Sequence, residues 1–176
     1  MTTPTLIALP HLTVLELTGT DAQAFLQAQV PSDIRLLSAD QAQISGWCTA
    51  KGRLLTTFVI WPVEGGYRLI LATDVADAIA KRLKMYVLRL KVQISRLDDP
   101  VWGLLNPPTE LVGTALPTET WQVSQIDELV AIRIDANRVL LTGNPEKLEG
   151  ISQGITTGQH NDWLRTDIEQ GFPLVT

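Results

Sequence analysis

Residues 12–17, "LTVLEL", alternate apolar and polar positions and predict a strand. "TGTDAQAFLQAQVP" then shifts to helical spacing. Ala22, Phe25, Leu26 and Val30 give it an apolar face, Thr20 or Asp21 can cap it, Gln23 sits three residues after Thr20, and Pro31 marks its end. "QISGWCTA" and "RLLTTFVIW" read as two strands joined by "AKG", and "GGYRLILAT" supplies a second turn and a third strand. From Asp74 the period becomes helical again, with Val75, Ile79, Leu83, Tyr86, Val87 and Leu90 on one stripe and Asp74 as cap. "KVQIS" and "VWGLL" predict short strands, and 106–120 predicts a turn-rich loop. "LVAIRID" and "RVLLTG" predict a hairpin turning at Ala136-Asn137. "NPEKLEGISQG" is at most a short helix. "QHNDWLRTDIEQG" predicts a final helix, with Gly171 just past its end and Pro173 beyond.

Strand runs and helices thus mix without strict alternation, which predicts an α+β class with largely antiparallel sheets and packed helices. The 176 residues suit one domain or two small interleaved subdomains, the inner one at about 43–100. A chain this long can bury roughly 70% of its unfolded surface and needs no covalent staples.

Composition narrows the function classes. The 14 Lys+Arg against 19 Asp+Glu give net −5, which opposes a general phosphate-backbone binder but leaves room for a local cationic pocket. Direct nucleic-acid binding is therefore not expected. Cys48 is the single cysteine, and His11 and His160 lie far apart in sequence, so no metal site is expected. No stretch approaches the ~20 apolar residues of a membrane span, and a cytoplasmic, reducing location is expected. Nucleotide-binding glycine motifs, H-E-x-x-H, C-x-x-C and Gly-x-Ser-x-Gly are absent. Cys48 in an apolar strand reads as a structural thiol.

Three stretches carry a resemblance. "LTGTDAQAFLQAQVPSDIRLL" is similar to a "G-x-D-A-x-x-F-L-Q-G-Q-x-T-x-D-V" helix and its exit. "CTAKGRLLTTFVIW" is similar to a "C-D-x-K-G-R/K-x-x-x-x-F-x-I/L-x" hairpin, and "WLRTDIEQGFPLV" to "W-x-x-x-x-I-E-x-G-x-P". In this order they resemble the YgfZ-type branch of the folate-binding family that includes the glycine-cleavage aminomethyltransferase (GcvT).

The resemblance implies tetrahydrofolate, or a derivative, as cofactor. It also implies an accessory role in the maintenance or assembly of iron–sulfur proteins, with those proteins or their assembly factors as partners, and an effect on tRNA modification. The aminomethyltransferases carry "G-x-x-D-D-x-x-V" after the glycine turn, with an Asp that takes part in the chemistry. Here Thr56 and Thr57 stand at those positions, and a hydroxyl cannot replace a carboxylate as general base at neutral pH. A catalytic residue is therefore not expected. The family's later "K-G-C-Y-T-G-Q-E" motif and C-terminal barrel do not occur before Thr176, which implies either a fragment or a shortened member with an incomplete pocket.

By the same resemblance Trp163 falls at the folate site, where a pterin stacking on indole would gain ~0.5–1.5 kcal/mol beyond area burial. The alternative for Trp163 is an anchor between helix and sheet. Leu12 stands where the family has a second pocket Trp. Lys51, Gly52 and Arg53 form either a cationic turn near the folate glutamate tail or a solvated hairpin tip, with Gly52 permitting positive φ. Gln27, Gln29 and Asp33 read as partners of backbone groups. Trp47, Trp61, Trp102 and Trp121 read as core or half-buried strand residues. Two rival functions stay open: a folate-dependent aminomethyltransferase and a ligand-free interaction domain.

Overall fold

The computed structural model describes residues 3–174, and the chain divides into two units. One is built from residues 1–10 and 99–172, the other from 11–98 and 173–176. The chain thus starts in one unit, completes most of the other, and then returns.

The inner unit is a five-stranded antiparallel sheet in the order β3-β4-β5-β2-β6. Its strands are β2 (Leu12–Thr18), β3 (Gln43–Cys48), β4 (Leu54–Val63), β5 (Gly66–Ala72) and β6 (Gln93–Leu97). Helices α1 (Ala22–Gln29) and α2 (Thr73–Val87) cover one face. Period two in the strands puts Leu15, Leu17, Phe58, Ile60, Leu69 and Leu71 on that face, where they meet Phe25, Leu26, Ile79 and Leu83.

Local chemistry departs from the expected caps. Asp21 precedes α1 but makes no side-chain cap bond; its carboxylate accepts from the Lys91 amide at 2.7 Å. Gln23 reaches the Tyr67 hydroxyl at 3.0 Å. Gln27 accepts from the Ile34 amide at 2.8 Å, as a partner of backbone. Asp33 accepts from the Arg35 amide and starts a short 3₁₀ turn at Ile34–Leu36. The α2 cap position is Ala72, and Asp74 sits in the first turn, where its charge suits the helix dipole. The predicted α2 stripe is too long. The backbone turns at Leu88 (φ 50°), so the helix stops at Val87, and Tyr86 and Leu90 are left exposed.

The other unit is a six-stranded sheet, β10-β11-β12-β7-β1-β13. Its strands are β1 (Thr5–Ala8), β7 (Val101–Leu105), β10 (Val123–Ile126), β11 (Leu129–Asp135), β12 (Arg138–Gly143) and the two-residue β13 (Thr156–Thr157). All neighbours are antiparallel except β1 and β13. The β11–β12 hairpin turns at Ala136-Asn137 as expected. The segment predicted as loop also forms a small hairpin of β8 (Glu110–Leu111) and β9 (Thr114–Ala115). Leu111 and Leu116 join Leu6, Leu104, Val139, Leu141 and Leu148 of α3 (Pro145–Ser152) in one core. On the opposite sheet face lies α4 (His160–Gln170), closed by Gly171 at φ 63°.

Candidate functional site

Adjacent threonines on a strand must point to opposite faces, and Thr56 and Thr57 do. Thr56 is wholly buried on the helix-covered face, across from Trp47, and among the described residues its hydroxyl reaches only the neighbouring Thr57 carbonyl, at 3.2 Å. Thr57 points to the other face. It lies opposite Gly46, and its hydroxyl donates to the Pro173 carbonyl.

The register sets out that second face row by row. Leu12 pairs with Ala72, and the Phe58–Leu71 pair puts Thr57 beside Ala72, so Leu12, Ala72, Thr57 and Gly46 form one row. Val14, Ile70, Val59 and Ile44 form the next. Glu16, Arg68 and Trp61 form the third. Leu12 and Thr57 retain only 9% and 7% exposure. Glu16 and Arg68 are an ion pair at 2.8 Å. Trp61 is buried, and its indole N–H finds no hydrogen-bond partner among the described residues. A buried unpaired donor is costly, so it marks a place where an acceptor is missing.

Lys51, Gly52 and Arg53 form the exposed β3–β4 turn. Gly52 has φ 78°, and its amide donates to the Thr49 carbonyl at 2.8 Å. Thr49 closes the turn from below by accepting the Arg53 amide at 3.1 Å. The turn is thus a well-formed hairpin tip carrying two cations into solvent.

Trp163 belongs to the other unit. It is 1% exposed. Its six-membered ring rests on Gly103 of β7 so closely that a Cβ there would lie 2.3 Å from ring carbons. The Arg138 guanidinium stands over the ring, 5.2 Å from its centroid, and 5.6 Å from that of Phe172. Arg138 is itself buried, donates to Asp135 at 2.6 Å and forms an ion pair with Asp167. Burial raises the Asp167 carboxyl above its ordinary 3.8, outweighing the lowering by Arg138. The motif "WLRTDIEQGF" therefore builds a packed charge-and-ring cluster in which the indole has no face open to solvent.

No family model matches the chain. It is 31% identical over 97% of its length to the tRNA-modifying protein YgfZ of Yersinia pseudotuberculosis serotype O:1b. It is 30% identical, again over 97%, to the YgfZ of Sodalis glossinidius. The chain is YgfZ-like. It spans about half the length of these curated relatives, 55% and 56% respectively. Among solved structures it superposes on the glycine cleavage system aminomethyltransferase T of Bartonella henselae with TM-score 0.69 at 18% identity, over 89% of this chain and 47% of that one. A heterotetrameric sarcosine oxidase from Corynebacterium sp. U-96 gives 0.51 at 15% identity, over 85% and 84%. These likenesses show the fold, an antiparallel α+β architecture of the GcvT type.

Sequence reasoning on the YgfZ-like chain grouped Thr56 with Thr57 and left Trp61 among core residues. Counting by twos from Thr57 along β4 would have found Trp61, because both project from one face. Glu16 and Arg68 are invisible to a motif search, since only the β2–β5 register brings them together.

Proposed function

We propose that this chain is a tetrahydrofolate-binding accessory module without transferase chemistry of its own, serving the maintenance of iron–sulfur proteins and, through them, tRNA modification. The observation that carries the proposal is Thr57. The resembling aminomethyltransferases have a catalytic Asp in this motif, whereas this sheet face has a hydroxyl bonded to the Pro173 carbonyl. The carboxylate that the same face does hold, Glu16, is engaged by Arg68.

Residues of this face fit a folate in one specific respect. The indole N–H of Trp61 has no acceptor among the described residues, and a pterin offers ring nitrogens and a carbonyl oxygen that accept; because Trp61 is 1% exposed, that contact requires the chain covering this face to move. When bound, the folate would supply the one-carbon carrier, with Leu12, Thr57 and Trp61 as its contacts and Lys51, Gly52 and Arg53 as a cationic turn for its glutamate tail. Trp163 serves the module as the anchor of α4. The setting is cytoplasmic, and the partners are iron–sulfur proteins or their assembly factors. The names of the curated relatives support the tRNA side of this reading.

Tetrahydrofolate titration followed by indole fluorescence tests it. Saturable binding that weakens at least tenfold in Trp61→Phe and measurably in Lys51→Ala, but persists in Arg165→Ala, supports the proposal. No saturable change overturns it. Formation of methylene-tetrahydrofolate from an aminomethyl donor would overturn the non-transferase assignment instead.

A further inference from the structure

The chain is acidic as a whole, but its charges are not evenly spread. Between residues 78 and 97 it carries six cations and no acid, and all six are exposed. Between residues 41 and 63 it carries Lys51 and Arg53, again with no acid. Both segments belong to the inner unit. Except for Arg96, which pairs with Asp77 at 3.3 Å, these cations make no ion pair among the described residues. A local positive field of this kind concentrates anions whatever the net charge of the molecule.

A cleft of about 460 Å³ opens on the helix-covered side of the sheet, with Arg82 the one of these cations in its wall. Its walls are the end of α1 (Ala28, Gln29), the end of β3 (Trp47, Cys48) and the turn at Arg82, Met85 and Tyr86 of α2. Spacing by three and four puts these last three on one stripe of α2, beside the buried stripe of Ala76, Ile79, Ala80 and Leu83. Tyr86 is 52% exposed, and its ring meets Trp47 at 82° with centroids 6.1 Å apart. Trp47 holds the tyrosine from inside, while the rest of the ring faces solvent. Met85 beside it is 62% exposed.

A flat ring presented at a cleft mouth, a free guanidinium next to it and further cations along the same helix are the parts that grip single-stranded nucleic acid. Bases stack on the ring, and phosphates follow the charge. We propose that this cleft binds a single-stranded polynucleotide, with Tyr86 as the stacking platform and Arg82 as the first phosphate contact. Lys51 and Arg53 extend the track from the hairpin tip. The cleft has polar walls (Gln29, Thr49) and is concave, which suits a base and its phosphate better than a lipid surface. It lies on the opposite sheet face from Leu12, Thr57 and Trp61, and shares with the folate reading only the hairpin cations Lys51 and Arg53.

The test is fluorescence anisotropy of a labelled ten-residue oligouridylate at 20–200 mM salt. Binding is expected to weaken with salt, and Arg82→Glu should reduce the log–log salt slope by about 0.7 or more, one phosphate contact's worth. Tyr86→Ala should weaken binding about tenfold. Arg165→Glu, a charge change in the other unit, should leave it unchanged. All three positions are exposed, and unchanged circular dichroism will show that the variants fold. Absence of binding, or equal loss in all three variants, overturns the proposal. So does binding to anionic phosphatidylserine vesicles that depends on Arg82 and Tyr86 while the oligonucleotide does not bind.

Discussion

Gly103→Ala is the sharpest test of the packing around Trp163. The added methyl would lie 2.3 Å from indole Cε3 and Cζ3 and 2.8 Å from Cη2. That is more than 1 Å inside the ~3.5 Å at which carbon atoms meet. Gly103 pairs with Ile7 on one side and Leu140 on the other, so the strand cannot retreat without disturbing two ladders. The indole must move instead, and Arg138 above it is held by Asp135 and Asp167. Overpacking of this kind costs roughly 1–3 kcal/mol, and Gly→Ala within a strand returns about 0.5–1 kcal/mol through chain entropy. A contact of 2.3 Å belongs to the upper part of the overpacking range, about 2–3 kcal/mol, so the expected net loss is about 1–2.5 kcal/mol, or a fall in Tm of roughly 2–10 °C for a domain of this size. Thermal and urea denaturation followed by circular dichroism would measure it. Trp163→Leu removes the ring that the methyl strikes, so the double variant should be less destabilised than the sum of the singles. A neutral Gly103→Ala, or strict additivity with Trp163→Leu, would refute the claim that the indole is wedged against this strand.

The two threonines should respond differently to loss of their hydroxyls. Thr57→Val leaves the Pro173 carbonyl without this donor and should cost about 0.5–1.5 kcal/mol in urea unfolding, while Thr56→Val, in apolar surroundings with only a local bond, should be close to neutral. Because burial raises the Asp167 carboxyl, folding favours its protonated form; that contribution is fully present below the ordinary 3.8 and is lost as pH rises through the folded-state value. Asp167→Asn should flatten this part of the stability profile, read as urea midpoints from acid pH up to neutrality. Leu15→Ala, fully buried between the sheet and its helices, should cost about 2–5 kcal/mol.

The hairpin at 43–63 was legible because a Gly-containing turn separates two long apolar runs, and local spacing alone determines its pairing. β1 was not legible: its four residues, just after Pro4, carry little periodic signal, and their partners lie in β7, nearly a hundred residues away. β10 was missed for a similar reason, since "VSQI" has only its ends apolar. The helical period correctly chose the buried face of α2 but ran on through Tyr86 and Leu90. It could not foresee that Leu88 takes a positive φ and ends the helix early. The family motifs located Thr57, Leu12 and the cationic turn, but not which of them share a face. That depends on strand register, which motifs do not encode. Trp163 was weighed as stacking platform or anchor; the structure shows a ring enclosed by Gly103 and Arg138, a relation that only the β7–β12 pairing creates.

The placement of β1 sets a timetable for synthesis. As the chain emerges, residues 5–8 have no strand to join until residues 101–105 appear, because β1 lies between β7 and β13. The five strands from Leu12 to Leu97 have all their sheet partners by then and can close first. The first strand made is among the last to be seated. A variant lacking residues 1–10 should therefore keep the inner unit's protected amides in hydrogen exchange. It should lose protection in β7, whose edge would be left open, while β12 keeps β11 and β7 on either side.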